Sequence, residues 1–157
     1  MQPVEILAPF DGRIVALADV PDPVFAGEIM GAGLAVDPDP AAAAIVALAP
    51  CAGSVAKLFP GGHGIALETA AGPLLVHLGI DTVALKGEGL RPVVTEGARV
   101  APGTPLTEID AAAIRAKGVA LVSPIVGIGG QRVEPLATPG STIRAGEPLF
   151  RLHPAGA

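Results

Sequence analysis

The sequence predicts an all-β fold: an antiparallel β-sandwich or flattened barrel of two related halves, with one or two short helices. Composition supports this first, because 21 Gly and 17 Pro among 157 residues favour many short strands joined by turns. Second, two turn motifs each occur twice along the chain. Third, half of the residues are hydrophobic but only 3% are aromatic, so we expect a core of Val, Ile, Leu and Ala.

The repeated motifs suggest that the two halves are related. Ala8-Pro9-x-x-Gly12-x-Ile14 recurs as Ala49-Pro50-x-x-Gly53-x-Val55, and each copy indicates a turn that leads into a strand. Gly97-x-x-Val100-x-x-Gly103-x-Pro105-Leu106 recurs as Gly140-x-x-Ile143-x-x-Gly146-x-Pro148-Leu149. Each motif occurs only twice, so a solenoid is not indicated.

Short apolar runs between turn residues define the individual elements. One helix is predicted at Asp110–Lys117, with Asp110 as its N-cap and Gly118 as its stop. The predicted strands are Arg13–Leu17, Gly33–Val36, Ile45–Ala49, Ser54–Phe59, Gly64–Thr69, Leu74–Leu78, Thr107–Ile109, Ala120–Val122 and Leu149–Leu152. No linker or change in composition divides the chain, so we expect residues 1–157 to form a single domain.

Charge and cysteine content exclude several classes of function. The net charge is −5 and Lys and Arg do not cluster, which argues against nucleic acid and anionic membrane surfaces as partners. The lone Cys51 excludes an internal disulfide, fits a reducing cytoplasm and is expected to be buried. We expect a soluble chain, without a signal peptide or direct membrane insertion.

Two histidines are the strongest candidates for a functional site. His63 and His77 flank the turn-forming stretch Ala70-Ala71-Gly72-Pro73 between two strand-like runs, which predicts a hairpin. Folding about Ala71 and Gly72 sets position 63 near 80 and position 66 near 77, so the two histidines are displaced along adjacent strands. A shift in the register of the loop would bring the two rings closer. His153, near the C-terminus, is expected to be a solvated tail residue.

A histidine pair suits phosphoryl transfer. A neutral imidazole nitrogen is a good nucleophile toward phosphorus, provided that a hydrogen bond to the other nitrogen orients the ring. The small Gly79 leaves a backbone carbonyl accessible for that bond, and a second imidazole can stabilise the phosphoryl oxygens. Asp81 offers a contact for a basic donor protein. Asp81-Thr82 is equally compatible with a simple turn or helix cap, and either histidine with a structural role.

The segment from Leu75 to Gly89 resembles the active-site segment of the glucose-type enzyme IIA (EIIA) proteins of the bacterial sugar phosphotransferase system. Similar correspondences run from Ala8 to Leu152. They include Asp19–Ala26, Gly31-x-Gly33-x-Ala35-Val36-x-Pro38, Ala49-Pro50-x-x-Gly53, Gly62-His63-Gly64-Ile65 and Glu96-Gly97-x-x-Val100. The segment before His63 lacks a hydroxyl residue often found in this family two positions earlier, so we expect an altered hydrogen-bond network there.

The resemblance implies specific roles for these residues. His77 matches the histidine that accepts phosphate on Nε2 from the phosphocarrier protein HPr, and His63 matches the second histidine, which assists transfer to the cysteine of an enzyme IIB in a IIB/IIC sugar permease. No cofactor is required beyond the phosphohistidine intermediate, although the pair could bind adventitious zinc. Gly79, Asp81 and Thr82 would support the phosphorylation site. The expected partner-docking residues are Asp22, Val24, Phe25, Ile29, Met30 and Phe59.

Three alternatives compete with this interpretation. A LytM-type zinc peptidase needs three protein ligands in His-x-x-x-Asp and His-x-His patterns, and neither pattern occurs. A biotinyl or lipoyl carrier needs a modified Lys at a hairpin tip, commonly flanked by Met, and no Lys has that setting. A non-catalytic regulatory domain of the same fold would differ by its inability to become phosphorylated.

Overall fold

A computed structural model describes residues 1–156 of the chain as a mostly β structure with two short helices, which confirms the predicted fold class. The helices are α1 (Pro23–Ala26) and α2 (Ala111–Ala116), and 3-10 turns lie at Leu17–Asp19 and Thr82–Leu85. The strands are β1 (Val4–Leu7), β2 (Gly12–Val15), β3 (Gly33–Pro38), β4 (Ala44–Leu48), β5 (Gly53–Leu58), β6 (Gly64–Thr69), β7 (Gly72–His77), β8 (Leu90–Pro92), β9 (Arg99–Val100), β10 (Pro105–Asp110), β11 (Ser123–Gly127), β12 (Arg132–Pro135), β13 (Thr142–Ile143) and β14 (Pro148–His153).

These strands form three antiparallel sheets. The largest has eight strands in the order β13-β2-β3-β11-β7-β6-β5-β9, and two three-stranded sheets have the orders β1-β14-β12 and β4-β10-β8. One buried cluster joins all three sheets, because it includes Phe150 of β14, Ile109 of β10 and Val76 of β7. Within residues 1–156, no helix is long and apolar enough to cross a membrane.

The opposite face of the eight-stranded sheet carries a second, smaller core. Side chains alternate between the two faces of a strand, so Leu75 of β7 points away from the cluster that contains Val76. Leu75 packs instead with Phe25 of α1 and Leu17 of the first 3-10 turn. His77 lies two residues beyond Leu75 and therefore faces the same side, beneath α1.

The repeated motifs make matching hydrogen bonds, as expected for two related halves. The amide of Leu7 donates to the carbonyl of Pro50 at 2.8 Å, and the amide of Leu48 donates to the carbonyl of Pro9 at 2.9 Å. In each half, the Gly-x-x-Val/Ile motif also hydrogen-bonds to the Ala-Pro motif. In one half, the amide of Gly146 donates to the carbonyl of Ala8. Gly103 likewise donates to Ala49.

The predicted helix is confirmed, with its carboxylate cap. The amide of Ala113 donates to Oδ1 of Asp110 at 3.0 Å, which satisfies one of the free amides of the first turn of α2. Cys51 is buried, as expected. The prediction of a strand at Ala120–Val122 is wrong: strand pairing begins only at Ser123, where β11 meets Val36 of β3.

His153 is also not a solvated tail residue. It lies at the end of β14 opposite Arg132, with its side chain largely buried. Its Nε2 lies 2.9 Å from Oε1 of Glu134 on the neighbouring strand β12. The pairing of β14 with β12 holds the His153 ring in place, and no local sequence motif predicts this pairing.

Candidate functional site

The hairpin of β6 and β7 brings the two histidines together. Gly64 pairs with His77 and Thr69 with Gly72, so the turn is formed by Ala70 and Ala71. The predicted register, with position 66 near 77, is therefore wrong by two residues. In the observed register, His63 immediately precedes Gly64, the residue that pairs with His77. The centroids of the two histidine rings are therefore only 5.5 Å apart.

A buried threonine holds the turn at Ala70 and Ala71. The hydroxyl of Thr69 accepts from the amide of Ala71 at 3.0 Å and donates to the carbonyl of Gly72 at 2.8 Å. Gly72 has φ of +102°, a conformation that glycine adopts without steric cost. These contacts hold the two-residue loop at Ala70 and Ala71, one position before the predicted turn at Ala71 and Gly72.

A single carbonyl fixes the orientation of His77. Its Nδ1 lies 2.7 Å from the carbonyl oxygen of Gly79. A carbonyl oxygen can only accept a hydrogen bond, so Nδ1 carries the proton and the lone pair of the neutral ring is on Nε2. Gly79 has φ of +77°, and a Cβ there would come within 2.8 Å of the carbonyl oxygen of Ala120. Glycine is therefore required at this position.

His63 is held in the same way by a different backbone group. Its Nδ1 lies 3.1 Å from the carbonyl oxygen of Pro60, and its own carbonyl accepts from the amide of Leu78 at 2.8 Å. This backbone carbonyl provides the hydrogen-bond partner where the sequence lacks a hydroxyl residue. Neither Nε2 of the pair has a hydrogen-bond partner within residues 1–156, so both are free to react or to bind.

Each histidine ring packs against a phenylalanine. The Phe25 ring centroid lies 5.0 Å from that of His77, and the Phe59 centroid lies 5.9 Å from that of His63. Phe25 is only 5% exposed, so little of its side chain is available at the surface for docking. The ring faces inward because α1 packs onto the second core. Phe59 is half-buried, and Nζ of Lys57 lies 5.5 Å from its ring centroid.

The other predicted docking residues lie on α1 and the turn that follows it. Helix α1 starts at Pro23, and Oδ1 of Asp22 accepts from the amide of Val24 at 2.9 Å. Val24, Ile29 and Met30 are exposed, with Ile29 at 74%. The sequence-based prediction missed Val83, an exposed apolar residue on the 3-10 turn just after Asp81.

Burial and nearby charges act on His77 in opposite directions. Burial is the main effect and lowers the pKa of His77 below its ordinary value, and His63 lowers it further. The hydrogen bond to Gly79 raises this pKa, as do the carboxylates of Asp22 and Asp81. Because the net shift is downward, the ring stays neutral, and hence nucleophilic, over more of the range near neutral pH.

Asp81 and Thr82 occupy different surroundings. Asp81 is exposed in the left-handed conformation, with φ of 60°, and its side chain does not cap the following 3-10 turn. Thr82 is buried, and its hydroxyl donates to the carbonyl of Leu78 at 2.6 Å. Ser123 also touches this segment, since its hydroxyl accepts from the amide of Gly79 at 3.1 Å. The sequence offers no signal for Ser123, because the contact depends on the pairing of β11 with β7.

Residues 4–133 match the model of the family described as phosphoenolpyruvate-dependent sugar phosphotransferase system, EIIA 1. The chain belongs to this family. It is 41% identical over 123 residues to the N-acetylglucosamine-specific EIICBA component of Escherichia coli K12, an alignment that covers 78% of the chain but only 18% of that relative. It is also 39% identical over 122 residues to the glucose-specific EIIA component of Halalkalibacterium halodurans, covering 77% of the chain and 68% of the relative.

A solved relative shares the fold. Glucose permease IIA from Mycoplasma capricolum superposes with a TM-score of 0.84 at 30% sequence identity, covering 96% of each chain. The resemblance to glucose-type EIIA proteins is thereby confirmed. Within residues 1–156, no group of three or more His, Cys, Asp or Glu side chains is placed to hold a metal ion. Proteins of the EIIA family carry phosphate as a phosphohistidine intermediate.

Proposed function

We propose that this EIIA chain accepts a phosphoryl group from HPr on Nε2 of His77 and passes it to the cysteine of an enzyme IIB. The observation that carries the proposal is the 2.7 Å contact between Nδ1 of His77 and the carbonyl oxygen of Gly79. This contact leaves the Nε2 lone pair available for attack and fixes its direction.

Both transfers conserve the proton at Nδ1. In the first, the phosphorus–nitrogen bond in phospho-HPr breaks as the bond between phosphorus and Nε2 of His77 forms. In the second, a thiolate attacks phosphorus and Nε2 of His77 leaves as a neutral ring nitrogen. The Gly79 carbonyl accepts from Nδ1 throughout, so the tautomer needed for acceptance is restored after each cycle.

His63 is proposed to stabilise the phosphoryl oxygens during transfer. Its Nδ1 faces the Pro60 carbonyl at 3.1 Å, which can only accept. Its Nε2 therefore donates to a phosphoryl oxygen, while keeping that contact, only when the ring is protonated. The two ring centroids lie 5.5 Å apart, which brings a phosphoryl group on His77 within reach of this donor.

The partner-docking surface is proposed to consist of the exposed side chains of Val24, Ile29 and Met30, with Asp22 nearby. Asp81 would add a second carboxylate for a basic donor. Phe25 and Phe59 support the two rings instead of contacting the partner directly. Docking of this kind would take place in the cytoplasm, where HPr and the inner face of a permease meet.

The proposal also covers the bounds of the domain and the sugar that the permease transports. The core shared by all three sheets supports treating residues 1–157 as one EIIA domain. The two relatives are specific for N-acetylglucosamine and for glucose, so we infer a IIB/IIC permease for one of these sugars. Zinc would bind the histidine pair only adventitiously, together with a carboxylate from another molecule.

The test is phosphorylation by phosphoenolpyruvate, enzyme I and HPr, followed by peptide mapping at alkaline pH. The wild-type protein should gain one phosphoryl group on the peptide that contains His77, and His77→Ala should gain none. His153→Gln is the matched control, because His153 lies on a different sheet. Labelling of His77→Ala at the wild-type level, or no labelling of the wild-type protein by active donors, would contradict the proposal.

A further inference from the structure

The peptide bond between Leu78 and Gly79 is held by two buried hydroxyl groups. The hydroxyl of Thr82 donates to the carbonyl of Leu78 at 2.6 Å. On the other side of the same peptide group, the amide of Gly79 donates to the hydroxyl of Ser123 at 3.1 Å. Both side chains are 1% exposed, so water does not compete for these bonds.

The next peptide bond carries the carbonyl that binds His77. The Gly79 carbonyl accepts from Nδ1 of His77 at 2.7 Å, and the amide of Ile80 donates to the carbonyl of Ala120 at 3.0 Å. All four polar groups of two consecutive peptide bonds are therefore paired. The segment that contains Ala120 and Ser123 thus fixes both peptides from one side.

The contacts of the Ser123 hydroxyl fix the direction of its hydrogen bonds. Its proton is committed to the carbonyl of Leu121 at 2.7 Å, so the oxygen accepts from the amide of Gly79. Ser123 is the first residue of β11, and β11 pairs with β7 through Ile125 and Val76. The strand that ends at His77 and the residue that braces Gly79 are therefore parts of the same sheet.

We propose that Ser123, together with Thr82, is a positioning residue for phosphoryl acceptance. The inference rests on the proposed function of His77. Gly79 has no side chain to restrict its backbone, so its carbonyl needs bracing to stay aimed at Nδ1. Without the two hydroxyls, only the hydrogen bond from Ile80 to Ala120 still restrains this segment, so the Gly79 carbonyl turns away from Nδ1 more easily and the proton is no longer confined to Nδ1. The reactive lone pair is then absent from Nε2 in part of the molecules.

Ser123→Ala is the direct test, with two measurements. We expect the rate of acceptance at saturating phospho-HPr to fall roughly ten- to hundredfold, with little change in KM. Nitrogen-15 NMR of the His77 ring should change from the Nδ1–H form toward a mixture of tautomers. A purely structural role would leave this tautomer signature unchanged in the folded variant. Thr107→Val, which also removes a buried hydroxyl but on β10, is the control and should match the wild type in both.

Thr82 gives an independent pair of variants. Thr82→Val should reproduce the Ser123→Ala result, and Thr82→Ser, which keeps the hydroxyl, should restore the wild-type rate and tautomer. This pair decides the question if Ser123→Ala does not fold. Wild-type rates and tautomers in folded Ser123→Ala and Thr82→Val, with His77→Ala still inactive, would overturn the inference and leave the proposed function standing. No labelling of the wild-type protein would overturn the proposed function itself.

Discussion

The rings of His63 and His77 lie 5.5 Å apart and are inclined at 68°, because the hairpin of β6 and β7 pairs His77 with Gly64. Each ring also places its Nδ1 against a backbone carbonyl, at Pro60 and at Gly79. The two Nε2 atoms are consequently the free nitrogens of a matched pair. We assign Nε2 of His77 to covalent chemistry and Nε2 of His63 to the stabilisation of charge.

His63→Gln should separate these two roles. Acceptance from phospho-HPr should remain close to the wild-type rate, because the contact between His77 and Gly79 is untouched. Onward transfer to an enzyme IIB should slow by about a hundredfold, the usual scale for removing one stabilising donor. Single-turnover measurements of the two half-reactions check this, and equal onward rates would remove His63 from the mechanism.

The pH dependence of acceptance should follow the lowered pKa of His77. An NMR titration should place the pKa of His77 below the ordinary histidine value of 6.5. Since the unfolded chain then binds more protons than the folded chain, the contribution of His77 to stability should decrease as the pH falls through about 6.5. His77→Ala should weaken this dependence, and an unchanged curve would argue against the shift.

Asp81→Asn should lower the pKa of His77 further, because the Asp81 carboxylate favours the protonated ring. Asn tolerates the left-handed backbone of this position, so the fold should persist. Asp19→Asn is a matched control, since Asp19 is exposed and is not among the charges acting on His77. A rise in the His77 pKa in Asp81→Asn would contradict the electrostatic account.

Thr107→Val should stabilise the protein. The hydroxyl oxygen of Thr107 is buried and has no hydrogen-bond partner among the described residues. Valine has nearly the same shape and removes the cost of burying an unpaired polar group, so the free energy of unfolding should rise by about 1 kcal/mol. Denaturant titration measures the change, and a loss of stability would indicate that the hydroxyl is satisfied in solution.

Cys51 should be inert in the folded protein. Burial raises the pKa of its thiol to about 12, so almost no thiolate is present at pH 8. Alkylation by iodoacetamide should be far slower in the native state than in denaturant. If native Cys51 were labelled as fast as an exposed thiol, the chain around the start of β5 at Gly53 would have to unfold locally and expose the thiol.

Much of the fold could be predicted because its determinants are local. Asp110 caps α2 through a contact within one helical turn, and Gly12 and Gly53 each begin a strand after a repeated turn motif. The Gly79 carbonyl was also predictable as a partner for His77, since the two residues are separated by only one position.

Features that depend on distant pairing were not predictable. The inward position of Phe25 depends on the packing of α1 on the second core. Ser123 reaches Gly79 across the pairing of β11 with β7, and His153 meets Glu134 across the pairing of β14 with β12. The partners of Ser123 and His153 are determined by the order of the strands, which the sequence alone does not reveal.

Phosphoryl acceptance on Nε2 of His77 is tested most simply by identifying which ring nitrogen of this residue carries phosphorus. Nitrogen-15 NMR of the protein phosphorylated through HPr, with phosphorus-31 coupling, distinguishes the two positions. We expect phosphorus on Nε2, with Nδ1 still protonated and donating to the Gly79 carbonyl. Phosphorus on Nδ1, or on a ring nitrogen of His63, would contradict it.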